Sequence, residues 1–234
     1  MNPKNQTENA KKNAALEAVK HVKDGFIMGL GSGSTAAYAI QEIGTRIRLE
    51  GLRLMAVPTS YQAFALAVEN GIQITTLEEH PLLDLTIDGA DQVDERLNLI
   101  KGMGGALVRE KIVAAASRRL IIIADESKKV KFLGANNHPI PLEIIPFAVK
   151  PITLKLKEMG GNPVLREGKG KVGPVITDNG NVIMDAAFGL VHEPSKLEPE
   201  LKSLPGLVET GLFINMTNIV YFGKTFGIEK MERK

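Results

Sequence analysis

The sequence contains no cysteine, which excludes disulfide bonds and catalysis by a thiolate. It has no dense block of lysine and arginine interleaved with aromatic residues, and its formal net charge is only +2, so nucleic-acid binding has little support. No apolar run is long enough to span a membrane, and residues 1–12 are too polar for a secretory leader. We therefore expect a cytoplasmic protein whose partner is a small molecule, without nucleic acid or membrane.

Several kinds of catalytic site are missing as well. The four histidines are scattered and never stand at metal-ligand spacing. The acidic residues at 88 and 91 lack the later ligands of a calcium loop. No serine nucleophile elbow occurs either. The sequence therefore predicts a protein that uses neither a metal ion nor another cofactor.

Alternating apolar strands and helices characterise residues 1–133. The 234 residues, 44% of them hydrophobic, suffice for one large core with a smaller satellite domain. Strands are predicted at 26–30, 52–57, 72–75, 82–87 and 120–124, and helices at 7–22, from 36, at 61–69 and at 106–116. This order predicts an α/β fold, a mostly parallel Rossmann-like sheet with helices on both faces.

The strict alternation stops near residue 134, where prolines cluster at positions 139, 141, 146 and 151. Predicted elements beyond that point are strands at 143–149, 163–166 and 206–210, helices at 152–159 and 196–204, and a hairpin at 175–186. This set predicts a small ferredoxin-like α+β unit. Because 212–222 is apolar enough to rejoin the first sheet as one strand, we expect an insertion: 1–133 with 211–234 as one domain, and 134–210 as the other.

The stretch from Asp88 to Lys111 concentrates the polar residues that favour catalysis. Asp88 and Asp91 follow an apolar strand, at the carboxyl edge where open α/β sheets bind ligands. The glycines at 102, 104 and 105 allow a ligand to approach main-chain N–H groups. Glu110 falls about 200° around its helix from the predicted apolar stripe of Val108, Ile112 and Ala115, so it should point away from that stripe. Carboxylates, a lysine and N–H donors together suit proton transfer at a carbon beside a carbonyl.

A second glycine loop, Gly31 to Thr35, lies between a strand and a helix. Its N–H groups, its hydroxyls and the positive end of the helix dipole form a setting for an anion such as phosphate. The loop is neither the dinucleotide fingerprint nor a nucleotide P-loop. Lys128 or Lys129, after the strand at 120–124, is placed to reach the same anion. Simpler interpretations stay open: a tight turn, a solvated lysine pair, aspartates that only cap, and a surface glutamate.

Four motifs, taken together, resemble those of the A-type ribose-5-phosphate isomerase family, and the resemblance extends over nearly the whole chain. They are Gly31-Ser32-Gly33-Ser34-Thr35, Asp88-Gly89-Ala90-Asp91, Lys101-Gly102-Met103-Gly104 and Arg109-Glu110-Lys111. Further matching stretches lie at 176–181, 205–208 and 211–213. The resemblance implies interconversion of ribose 5-phosphate and ribulose 5-phosphate through an enediolate, in the non-oxidative pentose phosphate branch.

The resemblance also implies roles for individual residues. Glu110 matches the base that shuttles a proton between C1 and C2, while Asp88, Asp91 and Lys101 would assist ring opening, hold hydroxyls and stabilise the enediolate. The residues expected to contact the substrate are Ser32, Gly33, Ser34, Thr35, Asp88, Gly89, Ala90, Asp91, Lys101, Gly102, Met103, Gly104 and Lys128. Family members are usually dimers or tetramers, so a homodimer or homotetramer is expected.

The sequence departs from the family pattern at three places. Ser32 replaces a common threonine, Met103 replaces a small residue, and 214–218 lacks the Arg and Asp that members often carry. Two other functions stay open. One is a non-enzymatic sugar-phosphate-binding regulatory domain, since related folds bind phosphosugars. The other is a CoA-transferase-like enzyme, whose related fold uses a glutamate as nucleophile.

Overall fold

The computed structural model describes residues 3–170 and 172–233. The α-helices are α1 (Pro3–Val19), α2 (Ser34–Glu50), α3 (Tyr61–Glu69), α4 (Leu107–Ala115), α5 (Val149–Glu158) and α6 (Pro194–Lys202). The strands are β1 (Ile27–Leu30), β2 (Met55–Pro58), β3 (Gln73–Ile74), β4 (Leu85–Gly89), β5 (Gln92–Val93), β6 (Leu99–Ile100), β7 (Leu120–Asp125), β8 (Ile140–Ile144), β9 (Asn162–Leu165), β10 (Val182–Ala187), β11 (Leu207–Thr210), β12 (Leu212–Phe213), β13 (Ile219–Gly223) and β14 (Ile228–Glu232).

The chain divides into two compact units. Unit 1 comprises Met1–Ala90, Arg109–Lys129 and Met216–Lys234, and unit 2 comprises Asp91–Val108 and Val130–Asn215. The domain boundaries expected from the sequence stay a prediction. These units differ from them chiefly in placing residues 91–108 with the smaller unit.

Unit 1 is built on a seven-stranded sheet of order β14-β13-β7-β4-β1-β2-β3, in which only β14 runs antiparallel. Apolar residues of α1, α2 and α3 pack on one face against alternate residues of β4 and β7, such as Leu85, Ile87 and Ile121. The opposite face carries α4, because a Cβ added to Gly29 of β1 would lie 2.4 Å from Cγ1 of Val113. The predicted α/β fold, with helices on both faces of a mostly parallel sheet, is confirmed.

The strand register of unit 1 places three polar segments at one edge. Leu30 pairs with Ile87, Asp88 with Ile122 and Gly223 with Asp125, so β1, β4, β7 and β13 end at similar heights. The chain leaves these ends as the Gly31 loop, as Asp88-Gly89 and as the 3₁₀ turn Glu126–Lys128. The carboxyl edge of the sheet therefore gathers segments that the sequence separates widely.

Unit 2 follows the order β8-α5-β9-β10-α6-β11 and forms an antiparallel sheet β11-β8-β10-β9. This is the split β-α-β arrangement of the ferredoxin-like fold, as predicted. Its core joins Leu142 and Ile144 of β8 to Ile152 and Leu156 of α5 and Leu201 of α6. A separate three-stranded sheet, β12-β6-β5, also belongs to this unit.

The largest departures from the predicted strands are at two places. The strand predicted at 143–149 is wrong in its second half, because β8 ends at Ile144, a 3₁₀ turn begins at Pro146, and α5 starts at Val149. Proline has no N–H to donate to a strand ladder, so the strand cannot continue through it. The single strand predicted at 212–222 is two strands, β12 and β13, interrupted where Asn215 adopts φ 59°. Within the described residues, no helix is long and apolar enough to cross a membrane.

Candidate active site

Asp88 lies at the end of β4 and is fully buried. Its Oδ1 accepts hydrogen bonds from the N–H groups of Gly89, at 2.7 Å, and Ser32, at 3.2 Å. A Cβ added to Gly31 would lie 2.5 Å from Cα of Asp88, so only glycine fits beside this aspartate. The structure thus brings Asp88 into direct contact with the first glycine loop.

Neutral groups brace the first glycine loop in addition to the Asp88 carboxylate. The Ser32 hydroxyl lies 2.8 Å from the Thr59 hydroxyl and 2.6 Å from that of Ser60, and the Gly33 N–H donates to Oε1 of Gln62 at 2.9 Å. Helix α2 begins directly after the loop, and Gly33 caps it with φ 96° and no side-chain hydrogen bond. The N-terminal end of a 17-residue helix therefore carries its partial positive charge at this loop.

One cation at this loop was not identified from the sequence. Nζ of Lys11, on α1, donates to Oγ of Ser34 at 3.2 Å and also contacts Glu8 at 2.8 Å. Lys11 lies on a polar stretch of helix that gives no signal of a site, and only the packing of α1 on α2 brings it here. At the neighbouring strand end, Lys129 is engaged by Glu229, which leaves Lys128 as the lysine to consider for an anion.

Glu110 lies in the first turn of α4 and is only 5% exposed. The predicted stripe of Val108, Ile112 and Ala115, from which Glu110 was expected to point away, therefore does not coincide with the buried side of the helix. Val113, one turn further along the same side, packs against Val57 and Leu83, whereas Ile112 is 51% exposed. The apolar stripe was misassigned because α4 exposes part of its aliphatic residues and buries a glutamate. Residues 85 and 87 of β4 face α1, α2 and α3, so residues 86 and 88 face the opposite side of the sheet, which α4 covers. Glu110, on α4, therefore lies on the same side of the sheet as the Asp88 side chain.

The second glycine loop, Lys101 to Gly105, belongs to unit 2 with Asp91. Oδ2 of Asp91 accepts the N–H of Met103 at 3.0 Å. The Lys101 side chain is buried, and its Nζ lies 5.5 Å from the centroid of the Phe213 ring. Two observations explain why position 102 is a glycine. Its φ is 100°, and an added Cβ would lie 2.8 Å from Cβ of Leu107.

Gly104 differs from its neighbours in this loop. Its φ is not in the left-handed region, and an added Cβ would meet no atom of the described chain within 4 Å. Neither backbone strain nor packing in unit 2 therefore requires glycine there. A glycine there would also allow a ligand to approach the main chain closely.

The described residues contain no group of three or more His, Cys, Asp and Glu side chains arranged to hold a metal ion. Two of the histidines make ordinary contacts. Nε2 of His21 lies 2.7 Å from the hydroxyl of Tyr221, and Nδ1 of His80 lies 2.8 Å from that of Thr75. Burial, followed by the nearby charge of Arg119, lowers the pKa of His21, which favours the neutral ring.

Comparison with known proteins gives a consistent result. Residues 55–227 match the family described as ribose 5-phosphate isomerase A (phosphoriboisomerase A). Ribose-5-phosphate isomerase A of Methanothermobacter thermautotrophicus is 50% identical over 221 residues, covering 94% of this chain and 96% of the relative. The human ribose-5-phosphate isomerase is 47% identical over 232 residues, covering 98% of this chain and 75% of the relative.

Solved structures agree with these sequence matches. Ribose 5-phosphate isomerase A of Methanocaldococcus jannaschii superposes with a TM-score of 0.93 at 44% identity, over 97% of this chain and 99% of that one. A D-ribose-5-phosphate isomerase in complex with phospho-erythronic acid gives a TM-score of 0.94 at 43% identity, with the same coverage. The chain described here belongs to the ribose 5-phosphate isomerase A family.

Proposed function

We infer that the protein interconverts D-ribose 5-phosphate and D-ribulose 5-phosphate as an aldose–ketose isomerase. The observation that carries this inference is the near-full-length match to enzymes of that name, at 50% and 47% identity. The arrangement of the described residues suits the reaction, since buried carboxylates, a buried lysine and a glycine loop at a helix N-terminus are all present. The reaction places the enzyme in the non-oxidative branch of the pentose phosphate pathway.

We propose that Glu110 is the base that transfers the proton. The carboxylate removes the proton from C2 of the ring-opened aldose, which leaves an enediolate, and returns it to C1 while the hydroxyl proton passes from O2 to O1. One carboxylate suffices because the two carbons are adjacent. Its 5% exposure limits competition from bulk water during this transfer.

The remaining polar groups have complementary proposed roles. Lys101, with the N–H groups of the second glycine loop, stabilises the negative charge that develops on the enediolate oxygen. Asp88 and Asp91 hold sugar hydroxyls and assist ring opening. Each aspartate already has one oxygen fixed by main-chain N–H groups, so its carboxylate is held in one orientation before the substrate arrives.

The phosphate is proposed to bind at the first glycine loop. The N-terminus of α2, the hydroxyls of Ser34 and Thr35, and the ammonium groups of Lys11 and Lys128 supply the positive potential that a phosphate requires. The relative solved with phospho-erythronic acid supports this class of ligand, because that compound is a phosphorylated sugar acid.

A coupled assay that detects ribulose 5-phosphate formed from ribose 5-phosphate tests the function directly. We expect turnover with no second substrate and no added metal, undiminished after exhaustive chelation. A protein that binds ribose 5-phosphate without converting it would instead be a regulatory domain. Exchange of a labelled acyl group between CoA esters would indicate a transferase of related fold.

We further propose a cytoplasmic enzyme that assembles as a homodimer or homotetramer. Family membership supports both expectations. Light scattering of the purified protein measures the assembly, and a mass equal to one 25.3 kDa chain would contradict it.

A further inference from the structure

The side chain of Arg166, which follows β9, connects an aspartate to the second glycine loop. Its Nε and Nη2 donate to the two carboxylate oxygens of Asp185, at 2.7 and 2.5 Å. Its Nη1 donates to the carbonyl oxygens of Gly102, at 3.0 Å, and Met103, at 2.9 Å. The two side chains are 14% and 19% exposed. All four residues belong to unit 2.

The fold of unit 2 explains why these two side chains meet. The Arg166 N–H donates to the carbonyl of Ile183, and Val164 pairs with Asp185 across β9 and β10. Arg166 therefore lies diagonally opposite Asp185 on the same face of the sheet. Only a guanidinium can bind a carboxylate with two nitrogens and still donate from its third, because a lysine has a single nitrogen.

The consequence for the loop follows from the planarity of the peptide bond. In a trans peptide the C=O and the following N–H point in opposite directions. The peptide between Gly102 and Met103 shows this, since its carbonyl faces Arg166 while its N–H reaches Asp91 on the other side. The Met103 carbonyl also faces Arg166, so the N–H of Gly104 is likewise directed away from the guanidinium.

We propose that Arg166, held by Asp185, is a positioning residue that fixes the Gly104 N–H toward the oxyanion of the substrate. This inference rests on the proposed function. The guanidinium also polarises the Met103–Gly104 peptide, because a charged donor on its carbonyl strengthens the hydrogen bond that its N–H can give. An added Cβ at Gly104 would meet no atom of the described chain within 4 Å, so the main chain is open on that side of the residue.

The test compares Arg166→Met and Arg166→Lys with the wild type. Arg166→Met removes the hydrogen bonds to Asp185 and those to the loop carbonyls. Arg166→Lys keeps the positive charge but has a single nitrogen, so it cannot make both sets of hydrogen bonds. Lys202→Met is the matched control, since it breaks another ion pair of the same unit, with Glu209. Four quantities are measured: kcat, KM for ribose 5-phosphate, the inhibition constant of inorganic phosphate, and the dissociation constant for a phosphorylated four-carbon sugar acid, whose carboxylate imitates the enediolate.

We expect kcat to fall about 10- to 100-fold in Arg166→Met, with KM within about threefold, because a misdirected oxyanion donor acts mainly on the transition state. Affinity for the sugar acid should fall about tenfold or more, while the inhibition constant of inorganic phosphate stays within about twofold. Arg166→Lys should have kcat and sugar-acid affinity between those of the wild type and Arg166→Met. Lys202→Met should match the wild type in both.

Calorimetric titration separates this role from a loss of folded protein. Partial unfolding lowers the binding stoichiometry, whereas loss of positioning weakens the affinity at full stoichiometry. Unchanged sugar-acid affinity at full stoichiometry would overturn the proposal, as would an equal loss for inorganic phosphate. If Arg166→Met does not fold, Asp185→Asn gives the same test with an expected loss of about threefold. A wild type inactive on ribose 5-phosphate would instead contradict the proposed function.

Discussion

The two glycine loops, Gly31 to Thr35 in unit 1 and Lys101 to Gly105 in unit 2, both contain a Gly-X-Gly pattern but are braced differently. The first is held mostly by neutral groups, the hydroxyls of Thr59 and Ser60 and the amide of Gln62, with one carboxylate, Asp88, on the Ser32 N–H. Charged side chains hold the second, through Arg166 and Asp91. A loop that receives a phosphate benefits from neutral supports, because they leave the positive end of the helix available to the anion. A loop that must direct particular N–H groups benefits from charged supports, which form stronger and more directional bonds.

If the two loops bind and orient the substrate while Glu110 transfers the proton, the largest loss of turnover should come from a change at Glu110 and not from a change in either loop. Glu110→Gln keeps the shape of the side chain and removes its basicity. We expect turnover to fall by roughly 10² to 10⁴, with little change in KM. Steady-state kinetics with ribose 5-phosphate measures this. Near-normal turnover in Glu110→Gln, together with abolished hydrogen exchange in Asp88→Asn or Asp91→Asn, would assign the base to an aspartate.

The tightest packing in the comparison is at Gly31. Gly31→Ala places a methyl group against the backbone of a buried aspartate, at 2.5 Å from Cα of Asp88. Because Asp88 lies within a sheet, neither partner can move aside, and we expect unfolding free energy to fall by about 1–3 kcal/mol. Urea denaturation followed by circular dichroism measures the change. A stability equal to that of the wild type would show that the edge of the sheet is more plastic than its packing indicates.

The charge argument for the first loop is tested by removing its donors. Ser34→Ala combined with Thr35→Val deletes two hydroxyls at the start of α2. We expect KM for ribose 5-phosphate to rise roughly tenfold, with turnover affected less, since two hydroxyl donors to the phosphate are lost while the helix end remains. Lys11→Met should act in the same direction. An unchanged KM in the double variant would contradict the proposal that the phosphate binds at this loop.

The smallest stability effect is expected at Gly104. Gly104→Ala meets no atom of the described chain and requires no left-handed backbone, so unfolding free energy should change by less than about 1 kcal/mol. The same methyl group should impede the substrate and lower kcat/KM. Gly102→Ala is the matched contrast, because strain at φ 100° should lower its stability measurably. Equal stability losses at 102 and 104 would contradict a ligand-related reason for Gly104.

Local signals in the sequence were sufficient where one residue determines an element boundary. Helix α3 has the predicted bounds because Ser60 caps it, accepting the N–H of Ala63, and Asn70 ends it. Strands β5, β6 and β12 have two residues each, which is too short for any periodicity to be recognised. The edge strand β14 has three charged residues among its five and gives no strong β signal.

The residue types of the candidate site were predictable from the sequence. The residues that hold them in position, such as Arg166, were less so. The order of strand, loop and helix predicts a site that contains Asp88, Gly31 and the N-terminus of α2. The structure brings these three features together. The burial of Glu110 was missed because helical periodicity assumes one exposed face. Arg166 lies 64 residues from the carbonyl of Gly102, so only the pairing of β9 with β10 reveals its contact with the loop.

The parallel pairing of β13 with β7 also constrains how the chain folds. Ile219 pairs with Ile121, so this contact closes a loop that contains most of unit 2. During synthesis on a ribosome, β7 is complete long before β13 emerges, and its edge then presents unpaired N–H and C=O groups. Long-range parallel pairing of this kind slows folding. Chains that terminate before residue 219 should therefore aggregate through β7, and their solubility would measure how strongly the last strands protect this enzyme while it is being made.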